Sequence, residues 1–378
     1  MSNPYQSISL RAGILRLYVE RAELPLEALC GFASRRSRKR GFVFVSKVLG
    51  KHYPVRPRVM ADVQRRLASK LLDLPGPVLM VAMAETATGL GHGVFEWVLR
   101  LTGREDVLFL HTTRYWLRQS PVLRFEEPHS HAIDQLLYEP EDAENVKLFR
   151  SAVTLVLIDD EISTGRTLAN LAAAYRRLNP HVRSVQLVCI TDWRSADQCP
   201  ELAAEIGLPT SCHSLLQGSF TFTPNPNFEP GPIPRVDSRH EVKEPYLLGS
   251  WGRRGLRRRL TWDWPARWPA RVRAGEKILV LGSGEFAYPP YCLAQYLEEQ
   301  GGDVYFQTTT RSPLLVDGDL GSVLEFGDNY HDDIPNYLYN VAGQQYNRIL
   351  IGYETSSLPA THRLPELLAA EVIFFESA

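Results

Sequence analysis

The richest chemistry in this sequence lies in one short stretch, Val156–Thr167 (VLIDDEISTGRT). The apolar run Val153–Ile158 reads as a buried strand, and Asp159 and Asp160 stand at its carboxyl end. Ligands of open α/β sheets bind at that end. Adjacent carboxylates repel one another and make poor core residues, so they call for a ligand. Vicinal ribose hydroxyls are two donors at matching spacing, and carboxylates accept both. The loop Ile162–Arg166 then opens a helical pattern. A helix N-terminus presents unpaired N–H groups and a partial positive charge. Gly165 lets the backbone turn and approach an anion closely. Ser163, Thr164 and Thr167 add hydroxyl donors. Such a cradle suits a monophosphate, and carboxylates beside it describe a ribose 5-phosphate. The plainer alternative is an acidic strand end with a Ser/Thr helix cap; the length of the pattern weighs against it.

The elements that must hold this stretch are legible around it. Pro77–Met83 reads as a buried strand, Gly91–Leu101 as a helix and Val107–Leu110 as a second strand. After the strand Val153–Ile158 come a helix, Arg166–Leu178, and another strand, Val185–Ile190. This alternation predicts an α/β fold with a largely parallel sheet. The pattern fails at the proline-dense Phe222–Pro234 and again at Trp262–Pro269, since proline fits neither a helix interior nor a central strand. Strand-like sequence resumes at Lys277–Leu281, followed by a helix at Tyr291–Gln300. Further strands are predicted at Val304–Gln307, Arg348–Ile351 and Val372–Phe375. A chain of 378 residues can bury two cores. The expected division is therefore 1–222, an irregular connection over 223–274, and 275–378.

The two halves repeat one another in order. VLMVAMAE (Val78–Glu85) parallels ILVLGSGE (Ile278–Glu285), and FLHTTR (Phe109–Arg114) parallels YFQTTTR (Tyr305–Arg311). Ser120-Pro121 matches Ser312-Pro313, VLRF (Val122–Phe125) matches VLEF (Val323–Phe326), and VLIDDEIST matches ILIGYETSS (Ile349–Ser357). Asp159-Asp160 becomes Gly352-Tyr353, and Thr164-Gly165-Arg166 becomes Ser357-Leu358-Pro359. The second copy is therefore expected to keep the fold and lose the ligand chemistry.

Composition narrows the function classes. A net charge of −1 gives no global field for nucleic acid or an anionic membrane, so neither partner is expected. Two local runs, Ser34–Arg40 and Arg253–Arg259, are basic; each reads as a solvated face or as a local phosphate site. The 5 cysteines form no C-x-x-C pair, so reduced thiols are expected. The first residues lack a signal-peptide pattern, and no apolar run reaches membrane-spanning length. A cytoplasmic protein is the expectation. Gly282–Ala287 (GSGEFA) fits a dinucleotide fingerprint, but the repeat aligns it with Ala82–Thr86 and prolines follow at the expected helix start. His129-Ser130-His131 is a candidate metal or substrate contact. Lys47, Lys51 and His52 are candidates for a hood over a base. Arg311 could bind an anion or pair with Glu285.

Val156–Thr167 resembles the phosphoribosyl-pyrophosphate loop of type I phosphoribosyltransferases. The form DDEISTGRT is similar to the branch found in tellurite-resistance and stress operons, which carries a C-terminal domain named for a Thr-Arg-Ser-Pro motif. Here that motif is Thr310-Arg311-Ser312-Pro313; LGKHYPV (Leu49–Val55) and AETATGLG (Ala84–Gly91) also resemble the branch. The resemblance implies a phosphoribosyltransferase-type, Rossmann-like parallel sheet flanked by helices, followed by a degenerate copy. It implies that Asp159 and Asp160 hold the ribose hydroxyls and a Mg²⁺ ion, with Ser163, Thr164, Gly165, Arg166 and Thr167 on the 5′-phosphate. Glu161 departs from the small apolar residue more common there. The resemblance makes Glu85, Thr86, Ala87, Thr88 and Gly89 the pyrophosphate-side loop, although they lack the basic residue many such loops carry. Arg114 matches the basic residue near the pyrophosphate, with Arg118 and Arg124 as further sources of charge. The implied reaction joins a nucleobase-like nitrogen to ribose C1 and releases pyrophosphate, for a specialised nucleoside-like metabolite. The rival reading is a phosphoribosyl-pyrophosphate sensor on the same fold, and either reading leaves room for a homodimer.

Overall fold

Residues 5–37, 40–119, 122–126, 134–195, 197–232, 241–267 and 272–376 are described by a computed structural model. The chain opens with a hairpin, β1 (Tyr5–Leu10) and β2 (Gly13–Ala22), then a helical turn α1 (Leu26–Leu29) and a second hairpin, β3 (Cys30–Ser34) and β4 (Phe42–Ser46). Helix α2 (Pro57–Ala68) starts on a proline at its first position, where the missing N–H costs nothing. There follow β5 (Val78–Ala82), α3 (Thr88–Thr102), β6 (Val107–His111), the hairpin β7 (Leu123–Glu126) and β8 (Asp134–Leu137), α4 (Ala143–Ser151), β9 (Thr154–Ile158) and the short β10 (Glu161–Ile162). Helix α5 (Arg166–Leu178), β11 (Ser184–Val188), β12 (Thr191–Asp192), α6 (Gln198–Ile206), β13 (Thr210–His213) and β14 (Leu216–Pro224) complete the first half.

A central parallel sheet runs in the order β13-β11-β9-β5-β6. Its inner strands are buried on both faces, which explains why VLMVA and TLVLI are continuous apolar runs. Alternate residues feed two cores. Met80, Val156 and Ile158 pack with Leu90 and Val94 of α3 and Leu67 of α2. Leu79, Leu155 and Leu157 pack with Leu168, Leu171 and Tyr175 of α5 and Leu202 of α6. A second sheet, β1-β2-β14-β12-β10, was not legible as such; β10 and β12 have two residues each, too short to show periodicity.

The second half contains the short helix α7 (Trp264–Arg267), β15 (Lys277–Gly282), α8 (Tyr288–Glu299), β16 (Asp303–Thr308), the hairpin β17 (Val323–Gly327) and β18 (Pro335–Tyr339), β19 (Arg348–Tyr353), α9 (Leu364–Leu368) and β20 (Glu371–Phe374). Its sheet order, β16-β15-β19-β20, matches β6-β5-β9-β11 of the first. The duplication extends to detail: Thr113 bridges Leu136 of β8, and Thr310 bridges Tyr337 of β18. The prolines at 289 and 290 fall in the first turn of α8, which therefore begins three residues before the predicted start. Helix α8 packs on α2 and α3, so the two copies share a core that includes Met60, Val55 and Tyr291.

The segment after β14 is irregular, as its prolines predict, yet its second part is built into the core. Trp251 is buried, and Leu256 exchanges backbone hydrogen bonds with Phe109 on the edge of the first sheet. The basic run there is neither a solvated face nor a phosphate site at its first two positions. Arg253 is fully buried between Glu354 (2.7 Å) and Glu285 (3.2 Å), and Arg254 pairs with Glu244 and Glu141. No helix among the described residues is long and apolar enough to cross a membrane. All 5 cysteines are free thiols.

Candidate active site

Strand β9 delivers Asp159 and Asp160 to the carboxyl edge of the sheet. The Asp159 N–H donates to Val188 O on the neighbouring strand (2.9 Å), and the Asp160 N–H donates to Asp159 Oδ1 (2.9 Å). Burial, then the adjacent Glu161 carboxylate, pushes the Asp160 carboxyl up to about 7. A cation arriving beside it would favour the ionised form. Glu161 itself accepts from the Arg40 guanidinium.

The loop Ser163–Gly165 turns into α5. Gly165 has φ +77°, a conformation that disfavours side chains, and a Cβ there would meet Leu202 Cδ2 at 2.4 Å. The glycine is therefore required by its backbone angle and by packing on α6. The Gly165 carbonyl accepts from Ala169 N–H (3.0 Å), which starts the helix and leaves earlier amides at its N-terminus.

The loop after β5 faces this edge. Its geometry is fixed by side chains: the Ala84 N–H donates to Thr112 Oγ1 (2.8 Å), and Gln135 Nε2 donates to Ala84 O (2.6 Å). Lys51 reaches in from the N-terminal segment and pairs with Glu85 at 2.5 Å. Burial pushes the Glu85 carboxyl up, but Lys51 first, then the Arg311 and Arg114 charges, together hold the group down at about 2. The Lys51 ammonium also donates to Thr309 O (2.9 Å) and Gly284 O (3.3 Å) of the second half.

These pieces line one cleft. Asp159, Asp160, Glu161, Ser163, Thr164, Gly165 and Thr167 lie along it, with Glu85, Thr86 and Arg114. Arg166 is exposed and outside the lining. Ala87 packs into the core on the α5 side, whereas Thr88 and Gly89 turn toward the second half: Thr88 Oγ1 donates to Glu285 O (3.0 Å), and a Cβ on Gly89 would sit 3.0 Å from Ala287. Arg118 is exposed near Glu244, and Arg124 lies over the Trp116 ring, both away from the cleft. His129-Ser130-His131 lies outside the described residues. Of the three hood candidates, Lys47 pairs with Asp319 (2.8 Å) and Lys51 with Glu85, whereas His52 lines the cleft. Burial, then Lys51, lowers the His52 imidazole to about 3, so it is neutral.

Further lining residues come from outside the phosphoribosyl motifs. Arg35 and Arg40 sit within a basic run whose members look alike, and Gln135 has no motif around it. Phe44 of β4 supplies an aromatic wall, stacked on Trp193 at 4.5 Å between ring centroids. Arg311, Ser312 and Leu314 come from the second half. Arg311 does not pair with Glu285; Arg253 takes that place.

A phosphoribosyl transferase family model matches residues 29–219. The chain belongs to this family. A second match, the TRSP domain that follows such transferases at the C terminus, covers residues 264–370. The fusion implied by the sequence motifs is therefore present, and the transferase family makes the protein a phosphoribosyltransferase. Comparison with curated proteins finds no match. Among solved structures, the chain is similar to the APRTase of Giardia lamblia complexed with 9-deazaadenine, at 13% identity and TM-score 0.35, over 51% of this chain and 98% of that one. It is also similar to the adenine phosphoribosyl transferase of Trypanosoma brucei complexed with AMP, pyrophosphate and ribose-5-phosphate, at 13% identity and TM-score 0.35, over 50% and 77%. A hypoxanthine phosphoribosyltransferase from Staphylococcus aureus is similar at 12% identity and TM-score 0.26, over 39% and 70%.

Among the described residues, the matching strand end of the second copy is filled by packing. A Cβ on Gly352 would meet Pro290 Cγ at 2.7 Å, and the Tyr353 hydroxyl is bonded to His362 Nε2 (2.6 Å). The GSGEFA turn is likewise filled by protein. The Arg114 N–H donates to Glu285 Oε1 (2.7 Å), and Thr113 Oγ1 donates to Glu285 Oε2 (2.5 Å).

The donor set fits Mg²⁺. The described residues contain no group of three or more His, Cys, Asp or Glu side chains that could hold a metal. Mg²⁺ needs no such cage, because it keeps several waters and takes one or two carboxylates plus substrate phosphates. Asp159 and Asp160 would be those carboxylates.

Proposed function

We propose that the protein transfers the phosphoribosyl group of phosphoribosyl pyrophosphate to a nitrogen of a nucleobase-like acceptor and releases pyrophosphate. The observation that carries this reading is one cleft in which Asp159, Asp160 and the Ser163–Thr167 turn face Glu85, Thr86 and Arg114. A bond forms between the acceptor nitrogen and ribose C1. The bond from C1 to the pyrophosphate oxygen breaks, its electron pair leaves with pyrophosphate, and the nitrogen gives up its proton to solvent.

Asp159 and Asp160 accept from the ribose hydroxyls and fix the sugar beneath the acceptor. Ser163, Thr164 and Thr167, with the α5 amides, bind the 5′-phosphate. Arg114 offsets the negative charge that grows on the leaving group. Bound Mg²⁺ would neutralise pyrophosphate charge from the Asp159–Asp160 side. Phe44 offers the planar acceptor an apolar face, and neutral His52 offers it a hydrogen bond. Holding donor and acceptor in one geometry supplies the remaining advantage. The chain is organised as a transferase unit over 1–222, a connection over 223–274 and a TRSP unit over 275–378. Its product, a ribonucleotide that keeps the 5′-phosphate, feeds the synthesis of a specialised nucleoside-like metabolite of a stress or tellurite-resistance system in the cytoplasm.

Calorimetric titration with phosphoribosyl pyrophosphate, with and without Mg²⁺, tests the site. The wild type binds in a Mg²⁺-dependent way. Asp159→Asn with Asp160→Asn weakens binding by at least about 100-fold, since two charge-assisted hydrogen bonds are lost, and circular dichroism stays unchanged. Normal affinity in the folded double variant refutes the assignment. A screen of bases for pyrophosphate release then identifies the acceptor.

A further inference from the structure

The pyrophosphate side of the cleft is short of positive charge from its own loop. Glu85–Gly89 contains no lysine or arginine, and the nearest lysine, Lys51, is paired with Glu85 at 2.5 Å. Another cation reaches the cleft from the TRSP domain. Arg311 is 6% exposed and lines the cleft beside Ser312. Neither of its terminal nitrogens has a hydrogen-bond partner among the described residues. Its nearest carboxylate, Asp332, stands at 3.7 Å, beyond hydrogen-bond reach, and is itself paired with Lys243 at 2.6 Å.

A buried guanidinium with unmet donors is costly. The surrounding residues nevertheless hold it in place. It lies 4.9 Å from the centroid of the Tyr115 ring, which stacks on Tyr330 at 4.1 Å. An aromatic shelf of this kind fixes the plane of an arginine while leaving its edge open. That edge is a planar fork of N–H donors whose geometry matches two oxygens of a phosphate group. Arg311 is also the counterpart of Arg114 in the repeat, one ending YFQTTTR and the other FLHTTR. The duplication thus brings two equivalent arginines, one from each copy, to a single cleft.

We propose that Arg311 is a substrate-binding residue of the phosphoribosyl site, supplied by the TRSP domain, whose guanidinium binds the pyrophosphate group of phosphoribosyl pyrophosphate. This rests on the phosphoribosyl reading of the cleft. The test uses the full chain and two probes, phosphoribosyl pyrophosphate with Mg²⁺ and ribose 5-phosphate, titrated into wild type, Arg311→Ala and Arg311→Lys. Arg311→Ala weakens phosphoribosyl pyrophosphate by about 10–100-fold, the loss expected for hydrogen bonds to a charged group. Its affinity for ribose 5-phosphate stays within about 2-fold, because that probe has no pyrophosphate. Arg311→Lys keeps the charge and loses the fork, so it falls between wild type and alanine; its ratio of the two affinities decides the matter if the alanine variant does not fold. Equal losses for both probes, or no loss for either, overturn the proposal. A wild type that binds ribose 5-phosphate with Arg311-independent pyrophosphate discrimination overturns this role alone. A wild type that binds neither probe overturns the phosphoribosyl reading and this role with it.

Discussion

Replacing Lys51 by methionine puts the interdomain clasp to a quantitative test. The side chain is 3% exposed and joins three segments: Glu85 at 2.5 Å, Thr309 O at 2.9 Å and Gly284 O at 3.3 Å. Methionine preserves the length and the apolar stem, so cavity formation is a minor part of the effect. What remains is a buried carboxylate without its cation and two carbonyls without their donor. Removing one member of a buried ion pair costs about 3–5 kcal/mol. Urea unfolding followed by tryptophan fluorescence measures this as a lower midpoint at unchanged slope. The pH dependence distinguishes the mechanism. In the wild type, the depressed Glu85 carboxyl contributes stability that is present above its usual value of 4.5 and lost as pH falls toward about 2. Without Lys51, burial raises Glu85 against only the weaker pull of the Arg311 and Arg114 charges. The cost of Lys51→Met therefore shrinks as the pH is lowered and Glu85 takes up a proton. Adding Glu85→Gln to Lys51→Met recovers most of the loss. A cost below about 1 kcal/mol, or strict additivity of the two substitutions, refutes this account.

Two further predictions concern the turn and the buried imidazoles. Gly165→Val forces a β-branched residue to φ +77° and drives its Cβ into Leu202, so thermal unfolding shifts down and affinity for ribose 5-phosphate falls; an unchanged melting temperature would show that α6 yields freely. Burial holds His52 at about 3 and His92 well below its ordinary value, so both are neutral in the fold and protonate first in the unfolded chain. The His52 contribution is complete well above pH 6.5 and falls by roughly 2 kcal/mol by pH 5, and His92 acts in the same direction; Asp160, shifted the opposite way, returns a part. Melting temperature therefore drops between pH 6.5 and 5, and His52→Asn flattens that slope; parallel slopes in the two proteins count against the assignment.

The residues whose burial makes them repetitive were the ones a sequence could reveal. VLMVA, TLVLI and KILVL are apolar without interruption because helices cover both faces of their sheets, and each is a strand within a residue or so of its expected bounds. Helix α5 was legible to both ends because a glycine turn opens it and its buried residues recur with helical spacing. The repeat was legible because the same core positions are filled twice. What escaped was set by contacts between distant segments. The segment after β14 reads as a linker because prolines dominate it, whereas Trp251 and Arg253 anchor its later part through partners far away in sequence. The function of Lys51 depends on Glu85 and Thr309, and no local pattern links the three. Arg311 was ambiguous for the same reason: its competitor for Glu285, Arg253, sits in a stretch with no periodicity.

The two copies sit in one covalent chain, and this changes how their contact responds to dilution. In a symmetric homodimer every interface residue must serve both faces at once, and the assembled fraction falls with protein concentration. Here the α2–α3–α8 packing and the Lys51 contacts form within a single molecule. Their effective concentration is fixed by the connecting segment rather than by expression level. Each copy is then released from mirroring the other. One retains its acidic pair and glycine turn, while the matching positions of its sibling become Gly352, Tyr353 and Leu358, committed to packing. Division of labour of that kind is closed to an assembly of identical subunits.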